Sequence, residues 1–597
     1  MAARIMDIAK TFGIDILKKF YNLTVTLLVL ALALLIVYWG FSLFSSRAKA
    51  VKPGTYIEVS LPSDITESPY MYVQDWQIQR QTDFFAVLEA IEYAAADKNV
   101  AGLILDMDSL GLPAQQLGEL RVSVEKFKKS GKKVYAAGEG ADASSYRAAL
   151  LSDKIVMTPS QAASFSIPGY YAAYPYYRTL FDKAGIRCSV LSTGPYKTYG
   201  ETYERDAMSE GMRQQMSSLL ESRYASLTDD ISSSRGIEKE KVVQMIDSGE
   251  ISFISPVEAK EKGLIDETMH YERFLRTLSK KDGEKPPIRD ITEYASLPKV
   301  SKSKASGKGS IALIYAEGNI YMDDVNPSIL RKESVITPAV LCSQIESAAD
   351  DEDIKGIVIR VNSPGGSALA SDIISDSIAM AREKKPVYIS MGPVAASGGY
   401  YIACQADRIF AGKETLTGSI GVVSVIPTFE GVYEKLGVNV ERLQRGKYSA
   451  TMDLSKGLSP DEEALLQRSI ENVYAEFKQR VSSGRNIDLE TLEGYAQGRV
   501  WTGDKAVEVG LADEVGNLGD ALDAMAKKTG LGRSDVTLVE SGKKDMTMAR
   551  MVRDNLARLQ REPLNIQGPV EDLLLECEKL LEIREEPLML MPYELDQ

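Results

Sequence analysis

A single histidine, His270, occurs in the 597 residues of this chain. Chemistry that needs a histidine cluster is excluded, and a Ser-His-Asp arrangement could draw on that residue alone. Its surroundings, DETMHYERF, read as the exposed start of a helix, a poor setting for a general base. Cysteine is nearly as scarce. Cys188, Cys342, Cys404 and Cys577 show no short paired spacing, so neither a zinc site nor a disulfide framework follows. The sequence calls for no metal and no cofactor. Excess positive charge is absent too. Lys plus Arg is 70 and Asp plus Glu is 84, a net charge of −14, which argues against nucleic acid as the main partner.

What is present is ordinary for globular protein: 44% hydrophobic and 26% charged residues, in a length that suits more than one domain. The N-terminus differs. Residues 1–22 form an amphipathic basic segment with Arg4, Lys10, Lys18 and Lys19. An uncharged run follows at 23–44, LTVTLLVLALALLIVYWGFSLF. It is long enough to cross a hydrocarbon core of ~30 Å as a helix, and Tyr38 and Trp39 suit the interface at its far end. The run exceeds the ~7–15 apolar residues of a cleavable signal, so an uncleaved anchor is expected. The flanking charge leans toward a cytoplasmic N-terminus.

From Thr55 short apolar runs alternate with helical patterns. Strands are expected at 102–107 and 133–137, and helices at 119–129 and from Tyr146. This is the rhythm of βαβ units and a parallel sheet. A polar stretch rich in Lys, Ser and Pro, 276–308, reads as an interdomain linker whose second part could be ordered. The rhythm resumes at Ile311. The expected division is therefore 55–275, a linker, 309–540, and a tail at 541–597. The tail holds one amphipathic stretch, 570–581, with no assigned role.

The two halves are copies. VAGLILDMDSLG at 100–111 matches IKGIVIRVNSPG at 354–365, an offset of 254. AKEKGLIDE at 259–267 matches AVEVGLADE at 506–514, an offset of 247. The differences carry information. Ser397 aligns with Ala143, Gly398 and Gly399 with Ser144 and Ser145, and Pro364-Gly365-Gly366 with Leu110-Gly111-Leu112. Conversely GPYK at 194–197 aligns with GKYS at 446–449, so Lys197 faces Ser449. One copy keeps a serine between glycines; the other keeps a lysine.

The stretch around which the rest is organised is MGPVAASGGYYIAC, 391–404. Ser397 stands at a small-residue turn before an apolar helical run. A second glycine turn, Asn362-Ser363-Pro364-Gly365-Gly366, follows the strand-like run GIVIRV and precedes a helix from Ala368. Two such units can bring backbone N–H donors and one hydroxyl together, as stabilising an oxyanion requires. A serine hydroxyl needs a base to remove its proton. Without a usable histidine, lysine is the common remaining choice, provided burial or a nearby positive charge holds it neutral. Lys197, in TGPYKTYG, lies outside any charge run. Lys447 lies nearer to Ser397 in sequence but aligns with Pro195, two residues out of place. Ser419, in the turn LTGSIG, could hold the lysine amine by a hydrogen bond or be a plain turn serine.

SPGGS at 363–367, AASGGYYIA at 395–403, TGSIGV at 417–422 and RVWTGDKAVEVGLADEVG at 499–516 resemble the signal peptide peptidase A family, also called protease IV, over about residues 55–540. The resemblance implies α/β architecture: two tandem Clp-protease- or crotonase-like copies after a membrane helix. It implies a serine endopeptidase with Ser397 as nucleophile from the second copy and Lys197 as general base from the first. The oxyanion donors would fall on Gly398 and the Gly365-Gly366 turn. It further implies peptide substrates, released signal peptides among them, and a homotetramer in a bacterial inner membrane with its catalytic domains in the periplasm. Thr198-Tyr199 after the lysine is bulkier than the family pattern. Two other readings stay open on the glycine turns alone: a crotonase-fold enzyme acting on acyl thioesters, and a membrane scaffold with a degenerate peptidase fold.

Overall fold

The central strands of this chain have continuous apolar cores, GLIL at 102–105 and GIVI at 356–359, as expected where helices cover both faces of a parallel sheet. VAGLILD forms the strand Val100–Asp106 and IKGIVIRVNS the strand Ile354–Ser363, each the centre of its own sheet. The computed structural model describes residues 50–539, apart from 62–64, 75–76, 280–282, 298–299, 301–308 and 323–334, together with 588–590. The basic segment and anchor expected at 1–44 and the amphipathic stretch at 570–581 lie outside the described residues. Among the described residues no helix is long and apolar enough to cross a membrane.

The first sheet has the order Glu267–Thr268, Lys154–Met157, Lys133–Gly138, Val100–Asp106, Thr55–Val59, Ile288–Asp290, and every pairing is parallel. The second repeats the plan with Val387–Ala396, Ile354–Ser363, Ser310–Glu317 and Val536–Leu538, and carries Arg408–Ala411 and Glu514–Val515 as a side branch. At its other end Leu416–Gly418 and Val500–Thr502 are added, the last antiparallel. The repeat extends to single hydrogen bonds. Tyr146 donates its hydroxyl proton to the Leu264 carbonyl at 2.6 Å, and Tyr400 does the same to Leu511 at 2.8 Å. These pairs reproduce the sequence offsets of 254 and 247.

Two expectations change. The helix expected at 119–129 begins five residues earlier, as Ala114–Lys129, directly after Pro113. Its first turn has no acidic residue and no side-chain cap to signal a start. The stretch read as a linker also belongs largely to the first copy. Strand Ile288–Asp290 pairs with Thr55–Val59, as Val536–Leu538 pairs with Ser310–Glu317. Helix Ile291–Ala295 then buries Ile291 and Tyr294 in the first core. The surrounding lysines and prolines masked these few apolar anchors.

Strand pairing and buried charge are among the contacts that join the copies. Strand Arg187–Ser192 of the first copy pairs antiparallel with Val423–Thr428 of the second, from Arg187↔Thr428 to Ser192↔Val423. A buried charge cluster makes another join. Arg360 donates to Glu67 at 3.0 Å and to Glu119 at 2.9 Å, both from the first copy. It also donates to Ser390 Oγ and to the Met391 carbonyl within its own sheet.

Candidate functional site

Ser397 ends the long strand Val387–Ala396 and caps the helix Gly398–Ala403. Its backbone has φ 54° and ψ −116°, a region that costs a residue with a side chain ~1–3 kcal/mol. Neighbouring hydrogen bonds hold it there. The Ser397 N–H donates to the Gly418 carbonyl at 2.8 Å, and the Tyr401 N–H donates to the Ser397 carbonyl at 2.8 Å. The result is a serine side chain projecting from a sharp strand-to-helix turn, fully buried in the chain.

The glycines beside it are required by close approach. A Cβ on Gly398 would meet Ser371 Oγ at 2.7 Å and the Gly365 Cα at 3.1 Å. One on Gly399 would meet the Ser363 carbonyl at 2.5 Å, and one on Gly366 the Ile320 carbonyl at 2.0 Å. Gly365 and Gly366 also have φ of 111° and 151°, where glycine is strongly favoured. The Gly365 N–H is turned to Ser363 Oγ at 3.2 Å, so its part in the turn is conformational. In the first copy the matching space is filled: Ser144, in place of Gly398, donates to the Leu112 carbonyl at 3.1 Å.

Lys197 reaches this turn from the other copy. The strand Arg187–Ser192 delivers the chain to Thr193, whose N–H donates to the Val422 carbonyl and whose Oγ1 accepts the Val422 N–H at 2.7 Å. Four residues later Lys197 Nζ lies 2.7 Å from Ser397 Oγ, 3.0 Å from Ser419 Oγ and 3.1 Å from the Ser419 carbonyl. The side chain is 1% exposed, and burial holds its pKa well below the ordinary lysine value of 10.5. Among the described residues no carboxylate contributes to that shift. A neutral amine has two N–H bonds and one lone pair. Donation to the two Ser419 oxygens uses both N–H bonds and leaves the lone pair for the Ser397 hydroxyl proton.

The structure brings Ser397, Lys197, Ser419, Gly398 and the Gly365-Gly366 turn together. It puts Lys447 elsewhere: that side chain is 64% exposed and pairs with Asp461 at 2.6 Å. His270 is exposed and precedes the helix Tyr271–Leu278. Residues that sequence reasoning did not single out also shape the site. Gly498 allows the lysine stem to pack, because a Cβ there would meet the Lys197 N at 2.4 Å and Cα at 2.6 Å. Gly421 lies against the Lys197 Cδ, and Gly194 against the backbone of Gln497. The glycines were legible as turn formers, but the contacts join positions hundreds of residues apart. Among the described residues no group of His, Cys, Asp and Glu could hold a metal ion.

The model of peptidase family S49 matches residues 126–284 and 379–532, one segment in each copy. "Serine protease SPPA, chloroplastic" of Arabidopsis thaliana is 34% identical over 75% of this chain and 66% of its own length. "Protease 4" of Salmonella typhi is 31% identical over 80% of this chain and 76% of its own. "Protease 4" of Haemophilus influenzae is 28% identical over 75% and 73%. A solved structure of a mutant ClpP1 from Listeria monocytogenes shares 14% identity and covers 35% of this chain and 93% of its own, with a TM-score of 0.22, too low to support a comparison of folds.

Proposed function

Because the chain belongs to peptidase family S49 and is a serine protease, we propose that Ser397 is its nucleophile and Lys197 its general base. The observation that carries this is the 2.7 Å separation of Lys197 Nζ and Ser397 Oγ in a buried setting, with no carboxylate of the described residues on the amine. In this reading neutral Lys197 takes the hydroxyl proton as Oγ attacks a peptide carbonyl. Backbone N–H groups of the Gly398 turn and of Gly366 would donate to the developing oxyanion. The lysine, now charged, returns its proton to the leaving amine. Water then enters by the same route, with Lys197 again as base, and releases the acyl group. Ser419 keeps the amine aimed.

The wider setting belongs to the same proposal. The apolar run at 23–44 would anchor the chain in a bacterial inner membrane, with the two Clp-protease-like copies in the periplasm cutting released signal peptides. A homotetramer fits the face at 436–443, where Leu436, Val438, Val440 and Leu443 are exposed together.

The test is reaction of the purified chain with a fluorophosphonate probe, followed by mass spectrometry. Labelling of Ser397, lost in Lys197→Ala, is expected. Labelling at another serine, or full peptidase activity in Ser397→Ala, overturns the assignment.

A further inference from the structure

The sheet that joins the copies has an unusual member. Its order is Val335–Ile336, Asn319–Ile320, Gly365–Ser367, Leu588–Leu590, Val423–Thr428, Arg187–Ser192. The fourth strand comes from the far C-terminal tail, more than forty residues beyond the last strand of the second copy, Val536–Leu538. It runs antiparallel to both neighbours, pairing Gly365↔Leu590, Gly366↔Met589 and Ser367↔Leu588 on one side and Val423↔Leu588 on the other. Without it the sheet separates into two parts whose edges face each other across one strand's width. Adjacent strands are ~4.8 Å apart, so the gap between the Gly365–Ser367 and Val423–Thr428 edges is ~9.6 Å. That is the space for one extended peptide, held by main-chain hydrogen bonds on both sides whatever its sequence.

The gap also adjoins the reactive serine. Gly365, opposite Leu590, is the residue whose Cα a Cβ on Gly398 would meet at 3.1 Å. The end of the tail strand at Leu590 is therefore the end that meets the Ser397 turn. Gly365 and Gly366 serve at once as the edge that pairs with the tail and as the turn beside the nucleophile. On the reading that Ser397 and Lys197 cut peptides, a substrate must present its backbone along this same edge. The occupant's sequence suits the role. Leu588, Met589, Leu590 and Met591 form an apolar stretch bracketed by Pro587 and Pro592. Proline lacks an N–H to donate, so the pairing segment is limited to those few residues.

We infer that the strand Leu588–Leu590 is a built-in pseudosubstrate: the C-terminal tail lies in the substrate's strand position and must leave before an apolar peptide can enter. This inference rests on the Ser397–Lys197 reading, which supplies the function of the gap. A tethered segment acts at an effective concentration on the order of 1 mM. For a free tail peptide with a dissociation constant of ~0.1 mM, the tether raises the apparent KM of a competing peptide about tenfold.

The test uses the full chain, a chain lacking 588–597, and Met589→Pro, which keeps the length but removes the central N–H. With an apolar reporter peptide, both variants should show about tenfold lower KM with kcat unchanged. A synthetic peptide of residues 586–597 should inhibit the shortened chain competitively. A second arm places the same changes in Ser397→Ala and measures binding of the labelled reporter by fluorescence anisotropy, so it reports on the tail even without hydrolysis. Tighter binding after shortening supports the inference. Equal KM and equal binding in all forms overturn it and leave the Ser397–Lys197 reading intact. A lower melting temperature and lower kcat, with no competition by the added peptide, also overturn it, since the strand is then only a structural staple. Absence of hydrolysis and of Ser397 labelling in every form sinks the Ser397–Lys197 reading instead, and the binding arm still decides the place of the tail.

Discussion

Lys197 Nζ and Ser397 Oγ lie 2.7 Å apart although 200 positions separate them in sequence. They belong to different copies of one repeat, and neither copy holds the pair by itself. If they act as a unit, the loss on removing either should equal the loss on removing both. Ser397→Ala, Lys197→Ala and the double variant should each lose at least ~10³-fold in kcat/KM. Lys447→Ala should stay within about twofold, because its pair with Asp461 is an exposed one of the kind that contributes little. Peptidase assays on the four purified variants decide this, and an inactive Lys447→Ala with an active Lys197→Ala would reverse the assignment.

Titration of Lys197 gives the second prediction. Only the neutral amine can accept a proton, so kcat/KM should rise with pH through the lysine's folded pKa, well below 10.5. Lys197→Arg, which stays charged, should be inactive throughout. Stability should follow the same titration. The folded pKa is depressed, so between it and 10.5 the unfolded chain binds more protons and stability rises with pH. Lys197→Met removes that dependence. Its melting temperature should therefore gain on the wild type as pH falls through this window, with the gap levelling off below the folded pKa. Parallel melting curves across the pH range check the sign.

How much of this was legible in the sequence depended on having the chain twice. Ser397 and Lys197 stood out because each copy lacks what the other keeps, and the lysine's burial could be anticipated from its uncharged setting. The strands at 100–106 and 354–363 were legible from the runs GLILDM at 102–107 and GIVIRV at 356–361. The Ile288–Asp290 strand was not, because three residues held by long-range pairing carry no periodic signal. The same applies to Leu588–Leu590, whose partners at 365–367 lie over two hundred residues away. Close approaches such as Gly498 against Lys197 are properties of the assembled chain, and one-dimensional spacing does not encode them.

The charge cluster between the copies gives a third prediction. Arg360, Glu67 and Glu119 have side chains no more than 4% exposed. Removing the cation strands two carboxylates in a dry interface, so Arg360→Met should cost ~3–5 kcal/mol of stability. Burial raises the Glu119 pKa, and Arg360 opposes that rise. In the variant the folded Glu119 carboxylate should therefore bind a proton more readily than the unfolded one. Its stability should then fall as pH rises from acid to neutral. Adding Glu67→Gln and Glu119→Gln should recover much of the loss. Denaturant unfolding at two pH values tests both statements; a single variant as stable as wild type at neutral pH would show the cluster to be solvated.

The last prediction concerns a residue that touches neither reacting atom by its own side chain. Gly498 has φ 83°, and a Cβ there would sit 2.4 Å from the Lys197 N and 2.6 Å from its Cα. Those are main-chain atoms of the other copy, so no side-chain rotation can relieve the contact. Gly498→Ala must therefore displace the segment that carries Lys197. A shift of about 1 Å in a reacting group can cost on the order of 10²-fold in rate. Gly498→Ala should accordingly lose about 10²-fold in kcat, and fluorophosphonate labelling of Ser397 should slow in proportion, while the Ser397 turn itself is untouched. Gly494→Ala is the control. It lies four residues upstream in the helix Leu489–Tyr495, where a Cβ meets nothing within 4 Å, and alanine favours a helix over glycine by ~1 kcal/mol. It should be as active as wild type and no less stable. Equal activity in both variants would mean that the lysine's backbone position does not limit catalysis; a loss in Gly498→Ala alone ties the rate to a glycine contact made across the two copies.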